Sequence, residues 1–277
     1  MGLRWVGPLL VWIVSLAGVA GAQEISEQRV RAAVDDAARG LGQSVAGGSP
    51  MTAPAATTGG LGHFLASIGI GVTRIDIEDP QRESGTVEFL LPTAGARFAV
   101  GLTSGLASEG PIGGVGAIDL LGRVGIVTAR DEIEDASKLY GIGVRAALLG
   151  ETPLTPAVSV ALEQAWTEEI VYGEPDEVSF RGDVAVTSLR ADISKNLVLL
   201  SPYAGAGIDR TRIDASYVIP AELSTLGTEI RGSIDPASTH HVFYAGTDLS
   251  LLLLTASIEG GVYDGGTFAT LAIRAGI

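Results

Sequence analysis

From Leu61 to Ile277 the chain alternates apolar and polar residues with a period of two, in segment after segment. That period puts successive side chains on opposite faces of an extended strand, so it commits the chain to β-structure with two chemically distinct faces. Phe64, Ala66, Ile68, Ile70 and Val72 fall on one face of a first strand, with Ser67, Gly69, Gly71 and Thr73 on the other. Ala96, Phe98, Val100 and Leu102 oppose Arg97, Ala99, Gly101 and Thr103 in a second. Ile118, Leu120 and Val124 oppose Asp119, Arg123 and Gly125 in a third. Tyr140, Ile142, Val144, Ala146 and Leu148 oppose Gly141, Gly143 and Arg145, and Val158, Val160 and Leu162 oppose Ser159, Ala161 and Glu163. Further strands are expected over 184–193, 198–208, 243–251, 254–262 and 267–277, which makes ten. In the strand Val184 to Ile193 either face reads as apolar, so its register stays open. No fixed-length repeat runs through the chain.

Two architectures suit such a chain: a soluble sandwich or barrel, and a transmembrane β-barrel. A soluble sheet would carry long charged side chains on its polar face. Here that face holds mostly Gly, Ala, Ser and Thr with isolated Arg, Asp and Glu, and Lys138 and Lys195 are the only lysines. Small residues with sparse charges suit the crowded interior of a narrow barrel, while the apolar face meets lipid. The expected fold is therefore all-β: an antiparallel up-and-down transmembrane barrel of about ten strands, within a range of about 8–12, with a short N-terminal helix. A net charge of −14 argues against nucleic-acid partners. The absence of cysteine excludes disulfides, thiolate metal sites and cysteine nucleophiles.

The start of the chain reads differently. Met1 to Ala22 has a lone positive charge at Arg4, an apolar run from Trp5 to Ala20 and the small residues Ala20-Gly21-Ala22, the pattern of a signal peptide cut before Gln23. Val30, Val34, Ala37 and Leu41 then recur at helical spacing, with Gly40 and Gly42 as expected stops. Val45 to Gly60 is Ala, Gly, Pro, Thr and Ser in no periodic order, which is linker composition. The expected organisation is a leader over 1–22, a periplasmic helix and linker over 23–60, and a barrel over 61–277. The helix is read as a periplasmic prefix, with occupation of the lumen as the alternative.

With a periplasmic N-terminus, external loops are expected near 75–86, 129–137, 172–177, 213–239 and 264–266, and periplasmic connections near 104–113, 150–156, 194–196 and 251–253. Longer loops then lie outside, as outer-membrane barrels arrange them. Acidic groups fall there too: Asp76, Glu78 and Asp79; Asp131, Glu132, Glu134 and Asp135; Glu168, Glu169, Glu174, Asp176 and Glu177. They read as solvated charge, with divalent-cation binding the less favoured option. Trp166, Tyr172, Phe180, Tyr244, Tyr263 and Phe268 are expected as a sparse external aromatic belt.

Leu200-Ser201-Pro202-Tyr203-Ala204-Gly205-Ala206-Gly207-Ile208, and to a lesser degree Tyr140-Gly141-Ile142-Gly143-Val144, resemble strands common in the bacterial outer-membrane β-barrel superfamily of OmpA-like and small porin-like proteins. The resemblance spans about residues 61 to 277 and is one of pattern. It implies a Gram-negative outer-membrane location, contact with outer-membrane lipids and lipopolysaccharide, and dependence on the barrel-assembly machinery during insertion.

By alternation Arg97, Arg123, Arg145 and Arg274 point inward with Asp119, Glu163, Asp248 and Glu259, and Arg190 and Asp192 join them if the register holds. Unpaired charge in a low-dielectric interior is costly, so this balanced set is expected to form a salt-bridge network filling the lumen. A narrow polar pore is the alternative. Members of the superfamily can be hydrolases, and His240-His241 with Asp235 and Ser238 nearby could supply a base and its orienting carboxylate. A solvated histidine pair is the favoured reading. His63 stands alone, and Gly42-Gln43-Ser44-Val45-Ala46 only half matches a nucleophile elbow. No enzymatic activity, cofactor or metal is expected. The functions expected are a structural or narrow-pore barrel first, then surface binding or adhesion through the loop Ile213 to Thr239, then a membrane-embedded hydrolase. Solute, ligand and oligomeric state stay open.

Overall fold

A computed structural model describes residues 39–49, 57–78, 86–106, 115–128, 136–172, 179–219, 230–234, 237–251 and 254–276. Its strands are β1 (Phe64–Glu78), β2 (Thr86–Thr103), β3 (Ile118–Val127), β4 (Ser137–Leu149), β5 (Ala157–Thr167), β6 (Ile170–Tyr172), β7 (Ser179–Ser194), β8 (Leu200–Ile219), β9 (Ile230–Ile234), β10 (Ala237–Leu251), β11 (Leu254–Tyr263) and β12 (Gly266–Gly276). β6 and β9 are short and pair only with β7 and β8. The other ten close a ring: each is antiparallel to its neighbours, β1 pairs with β12, and β7 pairs with β8. Closure leaves the ring without a free edge, as a spanning sheet requires.

The register sorts the two faces as the alternation predicts. Ile68, Ile70, Phe98, Val124, Ile142, Leu162, Ile208, Phe243, Ile258 and Leu271 are exposed on the outside. Ser67, Ala99, Asp119, Arg123, Arg145, Ser159 and Glu163 are buried on the inside. The open register of β7 resolves with Val184, Val186, Ser188, Arg190 and Asp192 facing the lumen, and Leu189 and Ile193 facing out. The neighbouring strands decide this, since Arg190 sits opposite Gly207 and Ala161 in the register.

Several segments depart from expectation: residues 75–78, 230–234 and 237–239, expected in external loops, are strand. Residues 213–219, expected in the long loop, continue β8, because its pairing with β7 runs on from Ile213 opposite Val184 to Val218 opposite Ser179. Val198, expected to open that strand, lies in the β7–β8 turn with φ 73°, where its amide donates to the Asn196 side chain at 2.9 Å.

Tyrosine and glycine interlock on the lumen side of β8 and β10. Tyr244 sits opposite Gly205, and Tyr203 opposite Gly246. Each ring lies over the opposing glycine, where a Cβ would overlap the ring. This explains Gly205, where the Tyr244 ring needs the space; at Gly207 the space is taken by the Arg190 side chain.

Candidate functional site

The lumen is occupied by the chain's own N-terminal part. A helix, α1, spans residues 39–46 and ends at Gly47, whose φ of 71° and amide bond to the Gln43 carbonyl (2.7 Å) form a left-handed cap. The expected stops, Gly40 and Gly42, lie inside the helix. Their role is steric: a Cβ on Gly40 would overlap Ile75, and one on Gly42 would overlap Thr211. Gln43 and Val45 are fully buried, and Ser44, Ala46 and Ser49 nearly so. Of the helix expected over 24–42, residues 24–38 lie outside the described residues.

Three arginines from the barrel wall grip this segment by its backbone. Arg123 of β3 donates Nη1 to the Ala46 carbonyl at 2.7 Å and Nη2 to the Val45 carbonyl. Arg190 of β7 donates to the carbonyls of Gly48 (3.3 Å) and Gly47 (3.2 Å), and Arg97 of β2 to that of Ser49. A helix C-terminus has orphan carbonyls and the negative end of the dipole, so guanidinium groups are the natural partners there. The Ser49 amide in turn donates to both Glu259 carboxylate oxygens at 3.1 and 3.2 Å. Further along, Thr58 donates its amide (3.2 Å) and hydroxyl (2.8 Å) to Asp119.

The rest of the inward charge is paired across the wall. Arg145 meets Asp119 at 2.7 Å, Arg274 meets Asp248 at 2.7 Å, and the Ser257 hydroxyl donates to Asp248 at 2.6 Å. Arg123 reaches Glu163 at 2.8 Å, two strands away. It crosses β4 over Gly141, where a Cβ would overlap its side chain, while Gly143 leaves room for Glu163. Arg190 pairs with Asp209 at 2.5 and 2.7 Å, and Tyr244 donates to Asp192 at 2.5 Å. All eight residues singled out by alternation therefore face the lumen, along with Arg190 and Asp192. Asp209 escaped notice because the expected strand stopped one residue short of it, although alternation from Tyr203 puts it on the same face.

The histidines separate. His240 is fully buried on β10, with Nε2 3.3 Å from Asp209 and its ring centroid 5.8 Å from that of Tyr263. His241 faces outward and contacts Asp264 through Nδ1 at 3.1 Å. The His241 amide, then its ring, holds the Asp264 carboxyl below the usual aspartate range. Adjacent strand residues diverge, so the two histidines do not form the solvated pair expected from sequence. Asp235 lies outside the described residues, as do Asp79, Asp131, Glu132, Glu134, Asp135, Glu174, Asp176 and Glu177.

The aromatic belt needs correction. Tyr244, Tyr263 and Phe268 form a buried lumen cluster with Tyr203 and Val242. They sit on the same face as the charges, so they pack inside the barrel, where Phe268 lies against Gly48. Trp166 does face outward and stacks on Tyr140, with centroids 6.4 Å apart. The side chains of Tyr172 and Phe180 lie outside the described residues. Among the described residues no group of three or more His, Asp or Glu is arranged to hold a metal ion.

No family model and no curated protein matches the chain. Solved structures similar to it include the attachment invasion locus protein Ail of Yersinia pestis, at 12% identity and TM-score 0.35, covering 78% of this chain and 97% of that one. The outer membrane protease OmpT from Escherichia coli is similar at 7% identity and TM-score 0.38, covering 78% and 95%. The beta domain of the Bordetella autotransporter BrkA is similar at 14% identity and TM-score 0.38, covering 77% and 98%. At such identities the likeness concerns fold alone. The closed antiparallel ring with an apolar exterior and a polar interior is the architecture of bacterial outer-membrane barrels.

Proposed function

We propose that this protein is a plugged barrel of the bacterial outer membrane, acting as a structural element with a lumen closed to solutes and without enzymatic activity of its own. The observation that carries the reading is the grip of Arg97, Arg123 and Arg190 on the backbone of residues 45–49. Ten strands already make a narrow ring, near the eight-stranded barrels that side chains alone can fill. A helix held across that lumen leaves no path for anything large. The apolar exterior supports a position in lipid, with lipopolysaccharide and outer-membrane lipids as neighbours and the barrel-assembly machinery needed for insertion.

The test is conductance in planar bilayers. The full chain is expected to be silent, and a variant lacking residues 39–49, checked for folding by its shift on an unboiled gel, is expected to open a channel. Steady conductance from the full chain, equal to that of the deletion, would refute a closed lumen and favour the narrow pore.

A further inference from the structure

We propose that the barrel presents its own N-terminal segment at the cell surface: the chain before Arg39 leaves the lumen at the loop end, and the barrel serves as its holder. This rests on the outer-membrane reading above and adds a direction to the plug.

The direction follows from which wall residues each part of the plug meets. The ring has two ends. One carries the connections 79–85, 128–136, 168–178, 220–236 and 264–265; the other carries 104–117, 150–156, 195–199 and 252–253, together with the start of β1 and the end of β12. Both ends carry long connections, 104–117 among them, but the longest, 220–236, is at the first end, and only that end is extended beyond the ring by strands of its own, β6 and β9, which marks it as the external end. Arg39 lies beside Gly265 in the β11–β12 turn of that end. Gly40 packs on Ile75, which is opposite Gly266 at the same level. Gly42 packs on Thr211, and Val45 and Ala46 meet Arg123 near the middle of β3. Ser49 meets Arg97 and Glu259, Thr58 meets Asp119 one residue from the start of β3, and Gly60 packs on Ser104 just past the end of β2. The described parts of the plug, residues 39–49 and 57–63, thus meet the wall in order from the loop end to the turn end, and the chain enters β1 at Phe64.

The length suffices. Residues 39–46 as a helix rise about 12 Å at ~1.5 Å each, and the chain from Gly47 to Gly60 can extend at up to ~3.3 Å per residue, against an apolar band about 25 Å tall. A prefix docked from the periplasm would run the other way, with Arg39 at the turn end. Its residues would then meet Ser104 and Asp119 first, and Ile75 and Gly265 last.

The natural chain contains no cysteine, so single-cysteine variants report topology cleanly. Ser26→Cys probes the N-terminal segment, Glu169→Cys the loop end, and Leu154→Cys the exposed β4–β5 turn. Each full-length variant is checked for a heat-shifted band in the outer-membrane fraction, then treated on intact cells with a membrane-impermeant maleimide, and again after outer-membrane permeabilisation. Ser26→Cys and Glu169→Cys are expected to label on intact cells at least tenfold more than Leu154→Cys, which should label fully only after permeabilisation. Labelling of Ser26→Cys only after permeabilisation, while Glu169→Cys labels on intact cells, would overturn surface presentation and leave the plugged barrel standing. The reverse pattern at Glu169→Cys and Leu154→Cys would overturn the orientation and the proposal with it. Variants that never reach the membrane fraction would overturn the outer-membrane reading itself.

Discussion

Replacing Arg123 with methionine separates what the guanidinium does for the wall from what it does for the plug. The substitution keeps much of the side-chain volume but removes the ion pair with Glu163 and two charge-assisted bonds to the Val45 and Ala46 carbonyls. Glu163, whose side chain is 9% exposed, is left as an unpaired buried carboxylate, at a cost of about 3–5 kcal/mol. Each lost carbonyl bond adds about 1.5–3 kcal/mol. The expected loss is therefore about 6–11 kcal/mol, nearer the lower figure if water enters to solvate the carboxylate. The double variant Arg123→Met/Glu163→Gln removes the first part and keeps the second, so it should recover about 3–5 kcal/mol. Urea unfolding in lipid vesicles, read by loss of the heat-shifted band, measures both. If Arg123→Met unfolds within about 1 kcal/mol of the parent, the guanidinium holds neither the wall carboxylate nor the plug, and the reasoning fails. If the double variant is no better than the single one, the ion pair contributes nothing beyond the plug contacts.

Two further perturbations test other parts of the structure in the same assay. Ile258 faces outward near the middle of β11 and is 57% exposed; Ile258→Arg should cost about 2–4 kcal/mol if that face meets hydrocarbon, and almost nothing if it meets water. Val198 holds a left-handed conformation that a β-branched residue adopts only at a cost of about 1–2 kcal/mol, so Val198→Gly should raise stability by about 1 kcal/mol net of the chain entropy glycine adds, and a lowered unfolding midpoint would count against the strain.

The wall was legible in the sequence because its signal is local. A side chain's face in a strand depends only on the parity of its position, so Arg97, Asp119, Arg123, Arg145, Glu163, Asp248, Glu259 and Arg274 could be assigned inward before any pairing was known. The pairings themselves were not legible. That Arg145 meets Asp119 depends on the β3–β4 register, and that Arg123 reaches past β4 to Glu163 depends on Gly141 leaving the way clear. Tyr244, Tyr263 and Phe268 share the parity of Asp248, Glu259 and Arg274, so the same rule places them inside; the belt reading weighed aromatic content without it.

The plug was misread for a physical reason. Gly40 and Gly42 read as helix stops and Gly47, Gly48 and Ser49 as flexible linker, and the same small residues are what a segment needs to thread a narrow lumen lined by Ile75, Thr211 and Phe268. Composition reports size and flexibility, and both uses demand the same sizes. By itself the sequence determined the strands, their two faces and the inward set of charges, since each follows from the spacing of neighbouring residues. Closure of the ring decided the rest. Only when β7 meets β8 and β1 meets β12 does the lumen exist as an enclosed space, and only then do its guanidinium groups find the backbone carbonyls of a segment more than 45 positions away in the chain.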